Sequence, residues 1–317
     1  MSRYEDIQNW LEFLQKIILQ GIGIASSSST SNLLVDRSND NVHLTLTHIY
    51  LYPIKSCCSI SVQEWPLTSM SLLYDREWMI IDQNLNPLTL KRLPLLSQIK
   101  PFINLKDQQL ILNAKNHSPF IIDINNDSSI IKSTVKLTDG IHCHVYGGEI
   151  ENWLTNVLGI YATLARRTKD SQMTLANEGA FLLVYEESVR QIRKDLDQSE
   201  QITHKRFRPN FVLDKEHRFD SQAPKAYDED QWKQFRVKTE NNNDTNIEFR
   251  TIGLCQRCSI VNIDPLTGNN QSKLFTNLQT QRREKYSTRA NFGILLNLSS
   301  VNQQSFIHVT DRVQALT

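Results

Sequence analysis

From His43 onward the chain is cut into short apolar runs. Residues 43–52, 77–82, 97–104, 109–113 and 119–123 are rich in Ile and Leu and are broken by Pro, Asn, Asp or Gly. The same texture returns at 210–214, 247–252, 258–263 and 291–298. Runs of this length between turn-forming residues read as strands. Two stretches depart from that rhythm. Residues 149–158 follow Gly147-Gly148 and set Ile150, Trp153, Leu154 and Val157 at helical spacing, and 178–197 contain a second helical stretch. The expected fold is mostly β with some α, α+β in class, with a barrel and a few covering helices. The Asn/Asp-rich segment 239–246 reads as a loop, and no internal repeat is visible.

Ahead of the β region, residues 2–20 read as an amphipathic helix. Ser2 and Glu5 are spaced as a capping box, and Ile7, Trp10, Leu11, Leu14 and Ile18 share one stripe. A helix with that face needs a partner to bury it. Ser26–Ser31 is all Ser and Thr, so 21–41 is expected to be a flexible linker.

Charge narrows the partners. Lys and Arg number 35 against 34 Asp and Glu, a net +1, which gives no bulk attraction to nucleic acid or to a membrane surface. Any anionic ligand must meet a local cluster of cations. No apolar run approaches the ~18 residues of a membrane span, and no signal-peptide pattern opens the chain. Five cysteines, an odd number with one adjacent pair and one C-x-x-C, do not form a secreted disulfide framework. The expectation is a soluble, cytoplasmic protein.

Three local features can carry chemistry. Cys255-Gln-Arg-Cys258 offers half a zinc site, a redox dithiol or a soft thiolate ligand for a heavier metal; two buried structural cysteines are the plain alternative. His142, Cys143 and His144 could complete a zinc site, and Arg257 between the two thiols brings a charge that favours thiolate. Lys205-Arg-Phe-Arg-Pro-Asn210, if extended, puts Arg206 and Arg208 on one face with Phe207 opposite. Guanidinium forks beside an amide suit a phosphate or a heterocycle with acceptor edges, although a solvated strand end has the same composition. Tyr52-Pro-Ile-Lys-Ser-Cys-Cys58 closes the first strand with an ammonium and a hydroxyl, and Tyr74-Asp-Arg-Glu-Trp78 adds an arginine. Singly these read as surface decoration. Together they describe a pocket for an anionic ligand that carries a soft metal.

The ordered set resembles MOSC-domain proteins. It comprises Tyr52-Pro-Ile-Lys-Ser-Cys57, Leu73-Tyr-Asp-Arg-Glu-Trp78, Arg206-Phe-Arg-Pro-Asn210, Cys255-Gln-Arg-Cys258, Asp264-Pro-Leu-Thr-Gly268 and Asn291-Phe-Gly293, and it covers about residues 43–300. Leu72–Ile80, Gly148–Thr155 and Asn291–Leu296 look closer to the molybdenum cofactor sulfurase branch than to the amidoxime-reducing branch, which usually begins with a membrane anchor. Residues 1–14 resemble the closing helix of the sulfurase's aminotransferase lobe, so the chain reads as the C-terminal portion of a longer sulfurase. Nothing in it resembles that lobe's pyridoxal-phosphate lysine loop or its cysteine donor loop.

The resemblance implies a helix at 1–20, a linker at 21–41, a MOSC N-terminal β-barrel domain at 42–165 and a MOSC domain at 166–317. It implies a molybdopterin site with Cys258 facing molybdenum or handing on a persulfide, and with Lys55, Ser56, Arg76, Arg208 and Asn210 holding the pterin and its phosphate. Pyridoxal phosphate would enter only through a cysteine desulfurase lobe in cis or in trans, with xanthine dehydrogenase and aldehyde oxidase as clients. The alternatives are an amidoxime-reducing oxidoreductase or a carrier without chemistry. Lys91-Arg-Leu-Pro-Leu95 departs from relatives, which commonly carry Arg, Glu and a second Arg after the Pro, and Ala176 stands where some have Ser. No role follows for Cys57 or Cys58.

Overall fold

In β1 (Val42–Leu51) the apolar alternation changes phase. Leu44 and Leu46 face the core, the pairing register shifts between Leu46 and His48, and Ile49 and Leu51 then face the core in turn. One extra residue in the strand flips every later side chain, so the bulge keeps Ile49 and Leu51 inward and turns Tyr50 to the other side. The computed structural model describes residues 42–317 apart from 138–139, 170, 172–173, 177, 197–201, 216–222, 239–245, 271–272, 287–289 and 301–304. The expected helix at 2–20, the linker at 21–41 and nearly all of the 239–246 loop lie outside the described residues.

β1 pairs with β12 (Phe211–Lys215) on one side and β17 (Arg312–Leu316) on the other. The ring continues from β12 through β11 (Phe181–Tyr185), β15 (Asn291–Ser300), β14 (Asn246–Gln256) and β13 (Gln234–Lys238) back to β17. That is a closed barrel of seven strands. Closure leaves no unpaired edge, which stabilises a mostly β fold against association through its strands. All its pairings are antiparallel except β11–β12. β1 comes from the first part of the chain, and the other six strands lie between 181 and 316.

The remaining strands form smaller sheets. β2 (Ile60–Val62) extends from the end of β1, and β3 (Glu64–Pro66) pairs with β16 (Phe306–His308). β4 (Trp78–Ile81), β10 (Thr163–Arg167), β9 (His142–Tyr146) and β8 (Ile131–Lys136) make a four-stranded sheet in that order. β5 (Lys100–Asn104), β6 (Gln109–Asn113) and β7 (Phe120–Asp123) make a three-stranded one.

Three helices cover the sheets among the described residues: α1 (Glu149–Leu158), α2 (Glu186–Asp195) and α3 (Leu274–Tyr286). α1 has the expected bounds and stops at Gly159, left-handed at φ 67°. The stretch 178–197 is split, because Phe181–Tyr185 is buried at every position and becomes the barrel strand β11 before α2 begins. Residues 258–263 are not a strand: Cys258 opens a 3-10 turn at Ser259–Asn262. There the Asn262 side chain accepts from Phe275 N–H (2.9 Å) and its carbonyl accepts from Arg206 (3.1 Å), bonds that a strand would aim elsewhere. α3 buries Leu274, Leu278 and Arg282 at intervals of four, a stripe too narrow to stand out in sequence.

Candidate functional site

The chain leaves β1 at Leu51 and runs beside the approach to β4. Arg76 N–H donates to Tyr52 O (2.7 Å), Trp78 N–H to Pro53 O (3.0 Å) and Lys55 N–H to Trp78 O (2.8 Å). This stitching aligns Lys55-Ser56 with Arg76. The third segment enters from the 3-10 turn His204–Phe207 and leads through Arg208 into β12. Ser56 (φ 72°), Arg76 (φ 46°) and Arg208 (φ 56°) are all left-handed non-glycine residues. Each such position costs on the order of 1 kcal/mol or more and persists only where its surroundings fix it, a pattern concentrated at functional sites.

What fixes them is a buried polar knot. Asp75 (2% exposed) accepts from Tyr52 N–H (2.8 Å), from Asn210 Nδ2 (3.1 Å) and from Arg76. Asn210 (1% exposed) also donates Nδ2 to Tyr50 O (3.1 Å), and its Oδ1 accepts from Arg76 Nη1 (2.7 Å) and Leu182 N–H (3.2 Å). Both its protons and both its lone pairs are used. The Arg76 and Arg208 guanidiniums each lie over the Tyr52 ring, 4.4 and 4.5 Å from its centroid. Burial pushes the Tyr52 hydroxyl up to about 12. It also pushes the Asp75 carboxyl upward, opposed by Arg76 and the hydrogen bonds, and pulls the Arg208 guanidinium down.

These segments line a cleft of about 460 Å³. Lys55, Ser56, Arg76, Arg208, Asn210 and Cys258 all border it, brought together from four separate stretches of chain. Their parts differ. Cys258 is exposed, whereas Asn210 has no hydrogen-bonding capacity left for a ligand and serves to hold Arg76 and Asp75. Arg206 does not share a face with Arg208 along an extended strand. The 3-10 turn sends it to the back, where it bonds Asn262 O and pairs with Asp264 (3.4 Å). Cys255 and Arg257 also line the cleft, and Arg257 Nη1 lies 2.9 Å from Cys255 Sγ.

The remaining motif residues have structural work. Asp264 Oδ1 accepts from Leu266 and Thr267 N–H (2.8 and 3.0 Å), and Gly268 at φ 76° leaves no room for a Cβ, which would lie 2.8 Å from Ser97 Oγ. Cys57 is fully buried, which pushes its thiol upward, and Cys58 donates to Ser97 O (2.8 Å). Cys143 is buried within β9. Among the described residues, no group of three or more His, Cys, Asp or Glu is placed to hold a metal ion. Tyr52 and Asp75 were visible in the sequence only as neighbours of Lys55 and Arg76; nothing local marked them as platform and anchor.

Residues 43–161 match the MOSC N-terminal beta barrel domain and residues 170–314 match the MOSC domain. The chain belongs to the MOSC family. Curated relatives are named molybdenum cofactor sulfurase. The human protein is 27% identical over 84% of this chain, and that match covers 32% of the human protein. The Drosophila persimilis protein is 30% identical over 84% of this chain and 34% of its own length, and the Arabidopsis thaliana protein 28% over 99% and 41%. The chain thus spans about a third to two fifths of the length of these relatives. No helix among the described residues is long and apolar enough to cross a membrane.

Proposed function

We propose that this MOSC module binds a molybdenum cofactor in the cleft and takes part in its sulfuration. The observation that carries the proposal is the donor set: four cations, Lys55, Arg76, Arg208 and Arg257, share one cleft with an exposed thiol, Cys258. A pterin phosphate is a dianion and a dithiolene-held molybdenum is soft, so cations at one end and sulfur at the other suit the two ends of one ligand. The residues present fit the group.

Lys55 and Arg208 hold the phosphate by charge, and Ser56 donates its hydroxyl. Arg76, fixed by Asp75 and Asn210, presents a pre-set guanidinium that does not have to be ordered on binding. When bound, the cofactor would supply a soft metal centre able to take up sulfur. Cys258, exposed at the cleft, would be the sulfur that meets the metal or hands on persulfide sulfur. The persulfide comes from a pyridoxal-phosphate-dependent cysteine desulfurase lobe, in cis or in trans, and the sulfurated cofactor serves xanthine dehydrogenase and aldehyde oxidase in the cytoplasm.

The test is molybdenum and pterin content of the chain purified from a host that makes the cofactor, wild type beside Cys258→Ser. About one equivalent of each in the wild type, with metal alone lost in the variant, is the expected result. Absence of both from the wild type would refute cofactor binding by this chain. Bound cofactor with turnover of N-hydroxylated substrates would assign it to reduction instead, and bound cofactor without either chemistry to a carrier role.

A further inference from the structure

Cys255 is a cleft thiol to which the sulfuration reading gives no part. It lies near the end of β14, where the pairing with β15 shifts register between Leu254 and Gln256. Such irregularities re-aim a side chain, and Cys255 lines the same cleft as Cys258. Its sulfur accepts from Arg257 Nη1 at 2.9 Å. Arg257 is itself immobilised: Nη2 donates to Phe207 O (2.5 Å) and the guanidinium lies 5.5 Å from the Phe207 ring centroid. It is 8% exposed, borders the cleft, and its buried Nε has no partner. A cation fixed against a sulfur, with a donor to spare, is built for more negative charge than the one sulfur atom supplies. Cys258 differs: it is exposed, and its side chain makes no capping bond to the turn that it opens.

We propose that Cys255 is a second sulfur-bearing site of the cleft, which accepts sulfane sulfur from a persulfide and passes it to Cys258. The proposal rests on the sulfuration reading for its direction of transfer. In the first step the Cys255 sulfur attacks the outer sulfur of a persulfide R–S–SH. A new S–S bond forms, the donor's S–S bond breaks, and the donor leaves as R–SH with the proton that Cys255 gives up. Cys258 then attacks the outer sulfur of the Cys255 persulfide in the same way and regenerates the Cys255 thiol. One sulfane sulfur moves at each step, with no external oxidant or reductant. Arg257 positions the Cys255 sulfur and supports the charge of the persulfide that forms there.

The sequence lends itself to a direct test. Trypsin cuts after Arg250, Arg257 and Lys273, so Cys255 and Cys258 fall in separate peptides, 251–257 and 258–273. The whole chain is exposed briefly to glutathione persulfide, alkylated, digested and read by mass spectrometry for one added sulfur per peptide. In the wild type, sulfur is expected on 251–257 first and on 258–273 later. Cys258→Ser accumulates it on 251–257, Cys255→Ser slows its arrival on 258–273, and Arg257→Gln lowers the rate at Cys255 about ten-fold while Arg257→Lys restores part of it. Sulfur found only on 258–273, at the same rate in wild type and Cys255→Ser, overturns the proposal. The wild-type time course decides this even if a variant folds poorly. Cofactor content separates the two failures: normal cofactor binding with no sulfur on Cys255 removes this site alone, whereas sulfur on Cys255 without bound cofactor removes the cofactor reading and leaves the acceptor.

Discussion

Asn210→Ala separates a strut from a ligand contact. The amide makes four hydrogen bonds, two to charged partners (Arg76 at 2.7 Å, Asp75 at 3.1 Å) and two to backbone (Tyr50 O at 3.1 Å, Leu182 N–H at 3.2 Å). Bonds to charged groups are worth about 1.5–3 kcal/mol each and neutral ones about 0.5–1.5, a gross loss of about 4–9 kcal/mol. Relaxation and entry of water recover part of that, so about 3–5 kcal/mol of stability should go. For a chain of this size that lowers the thermal midpoint by about 5–8 °C. Asn210→Asp, nearly isosteric, turns the donor into an acceptor against Asp75 and Tyr50 O and should fall at least as far, which excludes lost volume as the cause. The assay is thermal or urea unfolding of cofactor-free protein. If Asn210 instead spent its hydrogen bonds on the cofactor, alanine would weaken cofactor binding and leave the midpoint within about 1 °C of wild type. That outcome would refute the positioning role.

Arg208→Ala should weaken cofactor affinity about 10- to 100-fold by equilibrium binding, for loss of a charge-assisted contact. Arg208→Gly, which also relieves a left-handed backbone at φ 56°, should lose the same affinity while matching or exceeding Arg208→Ala in thermal midpoint. Native-state alkylation with iodoacetamide should modify Cys258 first and spare Cys57 and Cys143. Both of these are buried, which pushes the Cys143 thiol up to about 11 and the Cys57 thiol higher still; early labelling of either would contradict their burial. Glu229 is 1% exposed, and burial pushes its carboxyl up to about 8, so the folded state holds a proton that the unfolded state releases above the ordinary carboxylate range. Its contribution to stability is complete below about pH 4.5 and fades as pH rises through about 8, so Glu229→Gln should raise the unfolding midpoint near pH 8 and leave it unchanged near pH 4. An equal shift at both pH values would rule out that titration.

Much of the fold was legible where structure is local. The alternation and turn residues of 109–113 and the helical spacing of 149–158 gave those elements their bounds, because periodicity and breakers act over a few residues. Two elements escaped the sequence: the strand beside the helical stretch found in 178–197 was missed, and 258–263 was read as a strand. Phe181–Tyr185 lacks alternation because both of its faces are covered in the barrel, and Ser259–Asn262 has a strand-like composition yet folds into a turn that Arg206 and α3 hold in place. The candidate site divides in the same way. Lys55, Arg76, Arg208 and Cys258 announce cation and sulfur chemistry by residue type, but their common cleft depends on strand order.

The sequence by itself determined most element types, the chemistry available and the family to which the chain belongs. Only the tertiary structure decided that β1, from the first part of the chain, closes a barrel built from the last part, and so carries Tyr52 through Ser56 to the entry of β12. Only there does Asn210 become a saturated strut, Arg206 a structural pair and Arg257 the clamp on Cys255. The physical reason is range. Propensity and capping act between neighbours in the chain, whereas the bonds that set these side chains join residues far apart in sequence, such as Asn210 with Tyr50 and Asp75. A hydrogen bond depends on angle and on a few tenths of an ångström, and those are fixed only when the barrel closes.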